Sequence, residues 1–205
     1  MDWFEGDRPA LLLAIQDGNR SMRCAICGYV ASMSTESRSR ADANIDEIVG
    51  SIIESLNYPM LVVTATAGAE RAGCLVGFSS KCSIDPARFI VWLSKLNYTL
   101  GVAQRAEWLV LHFPDVHQRA LAELFGSETG DDIDKFSRCS WHEGPAETTI
   151  LDECTRWLAG PVVGTLDGGD HVGFLVEPTH GMAGPWTGPL SFGMVQDLTA
   201  GHPAS

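Results

Sequence analysis

Three clusters of residues in this chain could do chemistry. Residues 73–86 read Gly-Cys-Leu-Val-Gly-Phe-Ser-Ser-Lys-Cys-Ser-Ile-Asp-Pro, an apolar strand running into small hydroxylated residues and stopping at Asp85-Pro86. Small residues leave backbone N–H groups open to a ligand, and hydroxyls add donors. A flat polar ring and a phosphate both need such groups. On composition alone an ordinary Ser-rich loop is the commoner reading. The second cluster, Ser94-Lys95-Leu96-Asn97-Tyr98-Thr99, offers a cation, an amide and a hydroxyl. Lys95 stands out because the chain has 14 basic residues against 26 acidic ones, although surface lysines are usually just solvated. The third is Gly169-Asp170-His171, where His171 could exchange protons, stack or hydrogen-bond. His112, His117, His142, His180 and His202 show no metal-ligand spacing.

Several common sites are missing from the sequence. It has no G-x-G-x-x-G, no P-loop and no G-x-S-x-G elbow. Cys24-Ala25-Ile26-Cys27 has the look of a metal knuckle. A tetrahedral thiolate site needs four ligands, and there is no second C-x-x-C, so no metal is expected.

The elements that must hold these clusters are mostly strands. A helix is expected first, because Ile45, Ile48, Val49, Ile52, Ile53 and Leu56 form one apolar stripe ended by Tyr58-Pro59. Strands are expected over 60–66, 73–78, 89–93, 108–113, 155–166 and 171–176, with a short one near 190–194. Asp167-Gly168-Gly169-Asp170 is a hairpin turn. A second helix should start at Asp115, with Gln118 completing a capping box and Gly126 ending it. Residues 130–145 form a long acidic connection. The order favours an antiparallel barrel with a few helices over a doubly wound parallel sheet.

Composition narrows the function classes. The 205 residues allow one large domain with a small extension. A formal charge of −12 argues against nucleic acid and anionic membranes as partners. No window is long and apolar enough for a membrane span, and the acidic start is unlike a signal peptide. A cytoplasmic location follows as the expectation, with all six cysteines as thiols. The polar, Ser/Arg-rich stretch 32–40 is expected to be a linker or disordered. The expected organisation is an N-terminal extension over 1–40, a folded domain over 41–185 and a tail over 186–205.

Taken in order, G-C-L-V-G-F-S-S-K-C-S-I-D-P, S-K-L-N-Y-T, E-L-F-G, D-K-F, W-x-E-G-P and G-D-H resemble the flavin reductase-like proteins with the FMN-binding split-barrel fold, in particular the branch found in actinobacteria. The resemblance spans about residues 58–180. It implies a six-stranded Greek-key split β-barrel, a homodimer and a flavin near the subunit boundary. It assigns flavin contacts to Gly77, Phe78, Ser79, Ser80 and Ser83, phosphate contacts to Lys95, Asn97 and Thr99, and the nicotinamide side of the ring to His171. The chain departs from the family pattern at Leu75, at Gly77-Phe78, at Ala87 after Asp85-Pro86, and over Val172–Val176 after the histidine.

The function so implied is an FMN-binding oxidoreductase, with FAD as an alternative cofactor. It would pass hydride from NAD(P)H to flavin and supply a partner flavin-dependent monooxygenase. The rival readings are a flavin-binding electron carrier with little reductase activity and a split-barrel enzyme using deazaflavin.

Overall fold

A computed structural model describes residues 21–23, 30–32, 45, 47–53 and 55–201 of the chain. The chain divides into two compact units, residues 1–56 and 57–205. In the first, β1 (Ser21–Arg23) pairs antiparallel with β2 (Val30–Ser32). Residues 45 and 47–53 are helical, as the apolar stripe predicts. The stripe itself is exposed, with Ile45, Ile48, Val49, Ile52, Ile53 and Leu56 each more than a third accessible. Cys24, Cys27 and the stretch 33–40 lie outside the described residues.

The second unit is built on one curled antiparallel sheet of eight strands. These are β3 (Leu61–Ala67), β4 (Glu70–Val76), β5 (Ser79–Ser83), β6 (Arg88–Ser94), β7 (Trp108–His112), β10 (Arg156–Asp167), β11 (His171–Val176) and β12 (His180–Ala183). Their order is β4-β3-β7-β10-β11-β6-β5, with β12 also paired to β10. The sheet thus has two more strands than the six expected, within the mainly β, split-barrel class. Residues alternate between its faces. Leu61, Val63, Ala65, Val91, Leu93, Leu109, Leu111, Phe174 and Val176 point into one core. Two helices, α1 (Tyr98–Ala103) and α2 (Arg119–Ser127), flank the sheet. Leu100, Val102 and Ala103 of α1 join the core just described. On the opposite face Val62 packs with Leu121 and Phe125 of α2 and with Phe136 and Leu151.

One strand makes the curl. The first half of β10 pairs with β7 and β12, and its second half pairs with β11. The register slips between Val162 and Gly164, the kind of bulge that bends a strand and re-aims it. Gly160 sits just before this point, where a Cβ would come within 2.1 Å of the Glu177 carbonyl oxygen. Only glycine lets the two backbones approach so closely.

Two buried polar side chains tie the outer layer to the sheet. His112 is fully buried, with Nδ1–H donating to the Val62 carbonyl at 3.1 Å and Nε2 accepting from the Leu151 N–H at 3.0 Å. Both nitrogens are satisfied only in the neutral ring, and burial pushes its pKa down to about 4. Lys135 donates to the carbonyls of Gly73 and Phe125, each at 3.2 Å, joining β4 to the end of α2.

Local boundaries correct the sequence reading in three places. The second helix begins at Arg119, not Asp115. Gln118 accepts from the Asp115 N–H, while the Asp115 carboxylate accepts from the Thr187 N–H and hydroxyl. Those bonds hold the Asp115 carboxyl down at about 2. The connection after α2 is not merely polar: a 3₁₀ turn, Lys135–Ser137, buries Lys135 and Phe136, and β8 (Trp141–Glu143) pairs with β9 (Thr149–Leu151). The tail carries isolated bridges, Pro59 to Ser191 and Asp115 to Pro189, and a 3₁₀ turn at Phe192–Met194 in place of the expected strand.

The tail is nonetheless packed. Leu190 is fully buried, and its carbonyl accepts from the Met60 N–H at 2.8 Å. Arg119 pairs with Asp197 at 2.8 Å. The four cysteines among the described residues, Cys74, Cys82, Cys139 and Cys154, are free thiols. No helix among the described residues is long and apolar enough to cross a membrane.

Candidate functional site

A cleft of about 200 Å³ opens where β4 ends, at the start of β11 and beside the tail. Gly77, Phe78, Asn97 and His171 line it together. The Phe78 ring lies 5.3 Å from the His171 ring, tilted by 55°. A second aromatic pair, Tyr58 stacked on Phe192 at 5.0 Å, also lines the cleft, as does Trp92.

The hairpin after β10 sets His171 in place as the sequence predicts. Gly169 takes a positive φ of 104°, and the Gly168 N–H donates to the His171 carbonyl at 2.9 Å. The turn rests on Trp92: a Cβ on Gly168 would stand 2.5 Å from its ring, and one on Gly173 2.9 Å. His171 pairs with Ser94 across β6, and its Nδ1 meets the Asp170 carboxylate at 2.8 Å. The ring is thereby held in one orientation, with Nε2 as its remaining polar atom.

Asn97 caps α1, its Oδ1 accepting from the Thr99 N–H at 2.9 Å. It lines both the cleft and an adjoining open groove of about 410 Å³ that also holds Lys95, Gln104 and Arg105. Lys95 Nζ reaches the Asp167 carboxylate at 2.9 and 3.1 Å. That contact, with the Gly169 N–H, holds the Asp167 carboxyl below its usual range.

The other candidate residues lie elsewhere. Ser79, Ser80 and Ser83 do not wrap the cleft as a loop; they belong to β5, paired with Val91, Ile90 and Arg88 of β6. Half of that backbone's donors and acceptors are used in the ladder. Thr99 is buried at 1% exposure, with its hydroxyl against the Cys74 thiol. Sequence reasoning missed Tyr58, Trp92 and Phe192. An aromatic pair formed by the two flanks of the domain has no local signature. The bulky residue at 92 facing glycines at 168 and 173 was the only available hint for Trp92.

A flavin is a flat aromatic ring joined to a ribityl phosphate. The residues fit such a group in part: aromatic pairs for the ring, the Asn97 side chain at the boundary, and the Lys95 ammonium for an anion, in a groove that also holds Glu70, paired with Arg105 at 2.6 Å, and Asp131. A curled antiparallel sheet around an apolar core is the split-barrel architecture.

The family model of the flavin reductase like domain matches residues 53–192, and the chain belongs to that family. It is an oxidoreductase acting on flavin by that membership. No curated protein matches the sequence. Solved structures share the fold. Nitrilotriacetate monooxygenase component B from Mycobacterium thermoresistibile superposes with a TM-score of 0.65 at 17% identity, over 73% of this chain and 83% of that one. The flavin reductase HpaC complexed with NADP+ gives 0.64 at 19%, over 71% and 92%. An FMN-binding protein from Thermus thermophilus gives 0.59 at 20%, over 62% and 71%. A larger Sinorhizobium meliloti protein gives 0.64 at 19% over 70% of this chain, which spans about half (49%) of that one.

Proposed function

We propose that the cleft binds FMN and that the protein reduces it with NAD(P)H. One observation carries the reading: Gly77, Phe78, Asn97 and His171, from three separate segments, line one aromatic cleft. The FMN bound by the Thermus protein and the NADP+ of HpaC support it by likeness of fold.

The flavin supplies the hydride chemistry when bound. Gly77 and Phe78 hold the ring, Asn97 lies toward the phosphate end, and Lys95 swings from Asp167 to the phosphate. An exposed ion pair of this kind contributes only about 0–1 kcal/mol, so a doubly charged phosphate competes well for the ammonium. His171, fixed by Asp170 and the Trp92-supported hairpin, orients the nicotinamide. The aromatic walls exclude water. FAD fits the same cleft if its adenylate follows the groove beside Arg105.

The functional unit in this reading is a homodimer. β5 is an edge strand with one unpaired side, flanked by exposed Phe78 and Ile84, and such edges are covered in native assemblies. Sedimentation of the flavin-bound protein should give twice the chain mass; a flavin-saturated monomer overturns this part. The Mycobacterium component B supports a flavin-dependent monooxygenase as the consumer of the product.

Anaerobic addition of NADH or NADPH to the flavin-loaded protein tests the whole reading. The flavin absorbance should bleach. Loaded protein that neither nicotinamide reduces is instead an electron carrier, the rival that the altered stretch Val172–Val176 points to, or a deazaflavin enzyme.

A further inference from the structure

A second cavity, of about 370 Å³, lies between the start of β4 and the connection after α2. It shares no lining residue with the His171 cleft and only Tyr98 with the Lys95 groove. Its size falls within the range of small-molecule sites.

Two cations in its wall have no carboxylate partner among the described residues. Lys135 is 5% exposed; Nζ donates to the carbonyls of Gly73 and Phe125 and lies 5.5 Å from the centre of the Phe125 ring. An ammonium carries three N–H donors, so one remains. Arg71 lays its guanidinium 4.3 Å from the centre of the Trp141 ring and forms no ion pair. Asp134, the acid in the wall, is committed to the Phe136 N–H at 3.0 Å. Glu128 acts on Lys135 from a distance and pairs with Arg138 at 3.8 Å. The remaining walls include the rings of Tyr98, Phe136 and Trp141.

A buried ammonium without a counter-charge is costly to keep charged. Here burial pushes the Lys135 ammonium pKa down. An anion entering the cavity would offset that cost, and its apolar body would meet three rings. We propose that this cavity is a second ligand site, taking a small organic carboxylate with a flat apolar ring: the carboxylate meets Lys135 and Arg71, and the ring lies against Trp141. The site is independent of the flavin reading.

Calorimetric titration of the full chain with benzoate and with benzamide tests it, with and without saturating FMN. Benzoate should bind, and the uncharged amide should bind about tenfold or more weakly, the loss expected for a charge-assisted contact. Arg71→Ala should weaken benzoate about tenfold with the thermal midpoint unchanged, because Arg71 is exposed. Lys135→Met should abolish binding, and Arg71→Ala carries the test if that variant does not fold. Equal affinity for benzoate and benzamide overturns the proposal. So does binding unaltered by Arg71→Ala, or benzoate displaced by FMN.

Discussion

At the residue scale the two candidates Lys95 and His171 differ in what they are tied to. His171 is fixed by the Asp170 carboxylate on one side and the hairpin backbone on the other. His171→Ala should leave FMN affinity nearly unchanged, since in this reading the imidazole orients the nicotinamide and does not meet the phosphate. It should slow anaerobic reduction about a hundredfold, because a misplaced hydride donor loses most of the benefit of orientation. Stopped-flow reduction with flavin occupancy measured first reads this directly, and a rate within about threefold of wild type would reduce His171 to a turn residue. Lys95 is tied only to an exposed carboxylate. Lys95→Ala should weaken FMN about tenfold and leave riboflavin alone, since only FMN presents a phosphate to the ammonium. Fluorescence titration with both ligands checks it; equal losses for the two would remove the phosphate role.

At the scale of elements, the tail matters more than its composition suggests. Its Gly- and Pro-rich sequence looks like a loose end, yet Leu190 is fully buried among Met60, Ala122 and Val195. Leu190→Ala should cost about 2–5 kcal/mol in urea unfolding, the usual range for emptying a buried leucine site. It should also weaken flavin binding, because Phe192, two residues on, forms a wall of the cleft. Arg119→Ala removes the partly exposed pair with Asp197 and the hydrogen bond to the Met194 carbonyl, and should cost only about 1 kcal/mol. If the two variants unfold at the same urea concentration, the tail is held by charge and not by burial.

For the whole molecule, stability should depend on pH through His112. Its pKa is about 4 in the fold against 6.5 ordinarily. The unfolded chain therefore binds a proton that the native protein refuses between these values. The contribution is fully present above about pH 6.5 and declines as pH falls toward 4, by about 3 kcal/mol in all. Urea unfolding at a series of pH values should show this slope. In His112→Gln, the slope over that window should shrink even if the variant is less stable throughout. A slope identical in both proteins would mean that other groups govern acid sensitivity.

The sequence by itself determined what local pattern can encode. Short β-branched and apolar runs bounded by turns marked the central strands, as with Val62, Val63, Leu109 and Leu111, and Asp167-Gly168-Gly169-Asp170 marked the hairpin that presents His171. The motif order was enough for the family and the barrel class. Only the tertiary structure decided the walls of the cleft, because Tyr58, Trp92 and Phe192 come from segments more than 30 residues apart whose neighbours are set by sheet order. It also placed Ser79–Ser83, expected as a loop, in an edge strand. Hydroxyl residues carry weak strand propensity, and pairing with the apolar β6 outweighs it. Thr99 was drawn into the core for a similar reason: α1 is so short that the packing of Leu100, Val102 and Ala103 fixes where every one of its residues must sit.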